Sequence, residues 1–154
     1  MSKPKRVLSL AASCAIAWCA AGLSWLLTGS AAMSAYPQLR QPPLSPPGWV
    51  FPAVWSVLYT LMGLSAWLVW RQRQPKALRP YGIQLFLNVL WTPLFFRFRL
   101  FWASFVLLCA LWAAVVWMLA AFRRVQRSAA ALQLPYLLWV TFAGYLNGMI
   151  ALWN

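Results

Sequence analysis

The sequence predicts an all-α integral membrane protein, a bundle of five transmembrane helices in one membrane domain spanning residues 1–154. Three observations predict it. Of 154 residues, 64% are hydrophobic and only 8% are charged, and the mean hydropathy is +0.68; soluble domains carry about 25% charged residues. The chain has 13 Lys and Arg, no Asp, no Glu and no His, for a net charge of +13. Those cations are confined to short segments between apolar runs of 17 residues or more. Runs of that length suit helices; barrel strands are shorter and alternate.

The first span is expected over 7–29, an Ala-, Ser- and Leu-rich run behind Lys3, Lys5 and Arg6. It is long enough to cross a bilayer and has no clean signal-peptidase site, so it reads as a retained helix. Residues 30–47 follow as a loop in which Pro37, Pro42, Pro43, Pro46 and Pro47 forbid helix and favour stiff, extended backbone. A loop of this length suggests function. The second span covers 49–70, with Pro52 tolerated in its first turn. The third covers 80–96, and Pro93 is expected to kink or end it. The fourth covers 100–122. The fifth covers 130–152, with Pro135 in its first turns.

The cations report orientation. Ten of them (Lys3, Lys5, Arg6, Arg71, Arg73, Lys76, Arg79, Arg123, Arg124, Arg127) fall on one side and three (Arg40, Arg97, Arg99) on the other. The positive-inside rule therefore predicts a cytoplasmic N-terminus, with the C-terminus and the 30–47 loop outside. Uninterrupted helical spans point to a bacterial inner membrane. Basic residues at helix ends meet lipid headgroups, so the charge is not read as a nucleic-acid footprint.

The missing residue types exclude much chemistry. No carboxylate pair is available for glycoside hydrolysis. No catalytic triad can be completed. No metal site is expected, because Cys14, Cys19 and Cys109 lack ligand spacing and read as buried structural thiols. A proton relay of Asp, Glu and His is impossible. What remains is twelve Trp and a few intramembrane amides. Gln84, Asn88 and Trp91 share one helical face; so do Pro52, Trp55 and Tyr59, and so do Pro135, Trp139 and Ala143, with Leu146 close by. Such stripes can be interhelical glue and core packing, or they can wall a pocket for a flat apolar ligand. Gly144 and Gly148 form a G-x-x-x-G, and Ala11, Ala15 and Gly22 thin the first span; both patterns suit close packing within the bundle or a dimer face.

Three longer blocks carry more specific information: P-P-L-S-P-P-G-W-V-F-P-A-V-W-S-V-L-Y-T-L-M-G (42–63), Q-L-F-L-N-V-L-W-T-P-L-F-F (84–96) and P-Y-L-L-W-V-T-F-A-G-Y-L-N (135–147). In order and spacing they resemble the TspO/MBR family of tryptophan-rich sensory proteins, which includes the mitochondrial translocator proteins. The resemblance covers nearly the whole chain from about residue 7. It implies a five-helix membrane bundle, often a homodimer, that binds porphyrins such as protoporphyrin IX and isoquinoline-type ligands between helices beneath the first loop. Carried onto this sequence, the ligand site falls on Trp55, Gln84, Asn88, Trp91, Trp139, Ala143 and Leu146, with Pro46 and Pro47 at the lid edge.

The resemblance also implies a light-dependent porphyrin breakdown in which Trp55 and Trp91 are the matching indoles. No cofactor is required, and porphyrin is ligand. Two departures stand out. Leu44 replaces a Trp common in relatives, and no basic residue follows Tyr145, as the cholesterol motif would need. The function expected is a membrane receptor or sensor for porphyrins. The alternative is a transporter of porphyrins or other hydrophobic ligands, against which stand the missing ion-coupling residues and nucleotide motif.

Overall fold

The computed structural model describes residues 3–30 and 34–154, so part of the Pro-rich loop, 31–33, lies outside the described residues. Five long helices form. Helix α1 (Lys3–Thr28) ends where Gly29 takes φ +63° and its N–H caps Trp25 O at 2.8 Å. That left-handed position is one glycine occupies without steric cost. A short 3-10 turn, Tyr36–Gln38, interrupts the loop that follows. Helix α2 (Val50–Trp70) starts one residue later than the sequence suggests. A second 3-10 turn, Pro75–Leu78, leads into α3 (Arg79–Thr92).

Pro93 ends the α-helical hydrogen bonding of α3, since it has no N–H to give. The chain then continues as five π-helical residues, Pro93–Arg97, closed by Phe98 N donating to Pro93 O at 3.0 Å. Together the fourteen α and five π residues reach roughly 28 Å at the α-helical rise, close to the roughly 30 Å hydrocarbon core.

Helix α4 (Phe101–Val125) runs past Arg123 and Arg124, because cations are favourable in a last turn. Gln126 is extended, and a five-residue helix, Arg127–Ala131, precedes α5 (Leu134–Trp153). The long α-helix of the fifth segment therefore begins at Leu134, with Pro135 in its first turn. By length and composition, Pro4–Thr28, Val50–Trp70, Phe101–Val125 and the segment Arg127–Trp153 can each cross a bilayer, and α3 is the short member.

Helix α1 packs on α2 and α3, α3 on α4, and α4 on α5. Helices α2 and α5 meet only sparsely. The burial pattern is that of a membrane bundle. Leu26, Trp49 and Leu138 are 75%, 72% and 71% exposed, while Ser65, Gln84, Asn88, Ser104, Gln133 and Asn147 are buried. Lipid solvates the first group and offers nothing to the second.

Two expectations change. Cys19 and Cys109 are exposed and Cys14 half-buried, so the thiols are not core residues. Ala11, Ala15 and Gly22 also face outward. The close approach of α1 is made elsewhere: a Cβ on Gly63 would lie 2.5 Å from Cys14 Cα, and Ser13 Oγ donates to Gly63 O at 2.8 Å. In the G-x-x-x-G, a Cβ on Gly148 would lie 3.1 Å from Phe105 Cε2, while one on Gly144 would meet nothing within 4 Å. Small residues near helix crossings are indistinguishable from small residues facing lipid until the helices are placed.

Gly63→Ala is therefore expected to separate α1 from α2 and destabilise the bundle by about 1–3 kcal/mol. Gly144→Ala, with room for its methyl group, is neutral or slightly stabilising. Thermal unfolding in detergent compares the two; equal midpoints would exclude the crossing at Gly63.

Candidate functional site

The centre of the bundle is a hydrogen-bonded network between helices that meet only sparsely through their backbones. Tyr59 of α2 donates to Asn88 Oδ1 of α3 at 2.9 Å. Asn88 Nδ2 donates to the Tyr136 hydroxyl of α5 at 2.8 Å, and that hydroxyl donates to Gln84 Oε1 at 2.8 Å. Gln84 Nε2 points to Met62 Sδ at 3.9 Å. The i, i+4 amides of α3 thus receive two tyrosines from opposite sides. A second layer lies nearer the π turn. Trp91 Nε1 donates to Asn147 Oδ1 at 3.0 Å, Ser104 Oγ donates to the same oxygen at 3.1 Å, and Asn147 Nδ2 donates to Phe101 O at 3.0 Å.

On the far side of Tyr59 and Tyr136, α2 and α5 separate. They are tied near one end, where Ser65 Oγ donates to Ala129 O at 2.7 Å and Gln133 Nε2 donates to Leu61 O at 3.1 Å. Between them lies an open apolar groove of about 580 Å³, lined by Val54, Val57 and Leu58 on α2 and Leu138, Trp139 and Phe142 on α5. Trp139 is half-buried and edge-on to Phe51, with centroids 5.8 Å apart, and 5.7 Å from Phe142. Trp55, beside Val54, turns toward the tyrosines, 5.5 Å from Tyr59 and 6.1 Å from Tyr136.

The loop covers this end of the bundle. Buried Tyr36 packs edge-on against Phe51 at 5.1 Å and donates to Pro46 O at 3.4 Å. Burial pushes its pKa up, so the phenol remains a donor. Tyr145 donates to Pro43 O at 3.0 Å. Asn154 pairs with the backbone of Arg40 in both directions, accepting at 2.9 Å and donating at 3.2 Å. Leu44 is exposed at φ +72°, a strained conformation for a side chain with a Cβ.

The expected site residues are thus distributed over three environments. Trp139 lines the groove and Trp55 stands beside it. Pro46 is half-buried in the loop and Pro47 is exposed. Gln84 and Asn88 are buried behind the tyrosines with their oxygens occupied, as interhelical glue. Ala143 and Leu146 are buried, and Trp91 is stacked on Phe95 at 5.6 Å in the second layer, in a different aromatic cluster from Trp55.

Sequence reasoning missed Tyr136, Asn147, Phe51, Phe142 and Tyr36. The buried positions of α5 are Tyr136, Val140, Ala143, Leu146, Asn147, Ile150 and Ala151, a face centred near Tyr136. A stripe drawn through the bulkier Trp139 falls on the flank of that face. The usable signal was that Tyr136, Ala143 and Asn147 recur at helical spacing within one block.

The sequence profile of the TspO/MBR family matches residues 11–153. The chain is 38% identical over 117 residues to the tryptophan-rich protein TspO of Chlorobaculum tepidum, covering 73% of this chain and 74% of that one. It is 38% identical over 122 residues to the tryptophan-rich sensory protein of Cereibacter sphaeroides, 77% of each. It is 40% identical over 119 residues to the translocator protein of Homo sapiens, 73% of this chain and 70% of the human one.

Tyr136→Phe leaves Asn88 Nδ2 and Gln84 Oε1 without their partner and is expected to cost about 1–3 kcal/mol. Tyr145→Phe, whose hydroxyl serves only the exposed loop, costs less. Unfolding midpoints in detergent rank the two, and the opposite order would remove the network from the centre of the fold.

Proposed function

The chain belongs to the TspO/MBR family, and on that premise we propose that it is a membrane receptor or sensor that takes porphyrins, protoporphyrin IX first among them, into the groove between α2 and α5. The single observation that carries this reading is the groove itself. Its volume of about 580 Å³ falls within the roughly 300–1,000 Å³ of ligand clefts, its walls are apolar, and the Trp139 indole is presented at its loop end. The reading is consistent with the names of the relatives, a tryptophan-rich sensory protein and a translocator protein.

A free-base porphyrin is flat, largely apolar and edged on one side by two carboxylates. Leu138, Val54 and Val57 supply the apolar contact. Trp139 supplies an aromatic face, worth about 0.5–1.5 kcal/mol beyond burial. The carboxylates orient toward the loop end, where Arg40, Arg97 and Arg99 lie. With no His in the chain, an iron porphyrin gains no imidazole ligand, so the metal-free ring is the favoured form. Isoquinoline-type ligands share the flat apolar shape and fit the same contacts.

In purified protein reconstituted in lipid, protoporphyrin IX is expected to quench Trp fluorescence saturably. Trp139→Leu weakens the apparent affinity about 2- to 12-fold, while Trp117→Leu on the exposed face of α4 does not. Unchanged affinity in Trp139→Leu would move the site out of this groove. Concentration-driven porphyrin flux into protein-containing vesicles, absent from empty ones, would replace sensing with transport.

The proposal includes orientation: N-terminus cytoplasmic, loop and C-terminus outside. A C-terminal alkaline phosphatase fusion is expected to be active and a C-terminal fluorescent fusion dark; the reverse pattern would invert the topology.

A further inference from the structure

The two ends of the bundle treat their cations differently. At the loop end all three arginines have partners within the molecule. Arg97 donates to Leu27 O at 2.9 Å, Arg99 donates to Gln38 Oε1 at 3.1 Å, and the Arg40 guanidinium lies 5.3 Å from the Trp153 ring centroid. At the opposite end Arg71 lies 4.7 Å over the Trp67 ring. Arg73, Lys76, Arg79, Arg123, Arg124 and Arg127, by contrast, have no side-chain hydrogen bond or ring contact among the described residues. With no Asp or Glu anywhere in the chain, no side chain of this protein can neutralise them.

These cations are nonetheless held together. Gln72 Nε2 donates to Gln126 Oε1 at 3.1 Å, and Gln126 Nε2 donates to Ser128 Oγ at 3.0 Å. The α2–α3 and α4–α5 connections are thereby joined side by side, and Ser65 anchors the second to α2. Like charges within about 8 Å repel at physiological salt. Arg79, opening α3, also stands at the positive end of that helix dipole. An anion from outside the molecule removes both costs.

We propose that these paired connections form a binding surface for anionic phospholipid headgroups, selecting them over zwitterionic lipid. Position decides for lipid over a soluble acidic partner. The apolar spans α2 and α4 end at this surface, so its guanidinium groups lie at headgroup depth, beside Trp67 and Trp70 as interfacial anchors. Residue type agrees, since all but one of these loop cations are arginines, which meet a phosphodiester through paired N–H donors. The surface is independent of the porphyrin reading, and its test does not involve porphyrin.

The experiment is native mass spectrometry of protein released from bilayers of phosphatidylcholine mixed with phosphatidylglycerol. Phosphatidylglycerol is expected to be retained preferentially. The triple variant Arg123→Gln, Arg124→Gln, Arg127→Gln is expected to lower that preference by more than about tenfold, at about fivefold per charge. Arg97→Gln with Arg99→Gln at the loop end leaves it unchanged. Circular dichroism establishes that both variants keep their helix content. The Arg→Lys triple variant, which keeps the charge and loses the paired donors, retains part of the preference. Equal retention of the two lipids by the native chain, or equal loss in the two Gln variants, would overturn the proposal. So would tight binding of a polyglutamate peptide in pure phosphatidylcholine bilayers without any phosphatidylglycerol preference, which would make the surface a protein-docking one.

Discussion

A polar group in hydrocarbon has no water to fall back on, and the arrangement of this bundle follows from how a few such groups find one another. The Tyr59–Asn88–Tyr136–Gln84 chain joins three helices whose backbones meet only sparsely. Every bond in it runs between α3 and either α2 or α5, so rotating any one of the three helices breaks at least one bond. Packing between apolar helices in lipid is weakly directional, because tails are as apolar as Leu. The amides supply the missing direction. They set the rotation of α3, and through the tyrosines they set which faces of α2 and α5 turn inward.

The groove is a consequence of that same choice. Because Tyr59 and Tyr136 reach inward to α3, the flanks of α2 and α5 that carry Val54, Val57, Leu138 and Trp139 are left to face each other across a gap. The ends tied by Ser65 and Gln133 keep the gap from running the whole length. At the other end the loop, strapped by Tyr145 and Asn154, stands over it. The apolar groove thus arises beside the polar core, and Gln84 and Asn88, which the family resemblance assigns to ligand, are hydrogen-bonded within that core.

The absence of acids shapes the periphery in a parallel way. A cation in this chain can be satisfied only by a carbonyl, an amide, an aromatic face or something outside the molecule. The loop end uses the first three and is stapled by them. The opposite end gathers most of the charge, and among the described residues of its two connections only Arg71 has a ring partner. A single compositional fact therefore leaves the arginines of the loop end to carbonyl, amide and ring partners, and most of the described cations of the opposite connections with none.

The sequence by itself determined the class, the helices and the sorting of charge, because length, hydropathy and Lys/Arg placement act locally and additively along the chain. It also carried the family, through three long blocks. It determined that Gln84, Asn88 and Trp91 share a face, since that is a matter of helical period. What those residues meet was decided only in three dimensions. Whether Asn88 binds a ligand or a tyrosine depends on the rotation of two other helices. Whether Gly63 or Ala11 marks a helix crossing depends on where α1 lies. Whether Trp139 faces the core or a groove depends on a rotation of less than a quarter turn. These are relations between segments distant in sequence, and no local pattern encodes them; the hydrogen-bonded centre selects them by leaving one arrangement in which its polar atoms are paired.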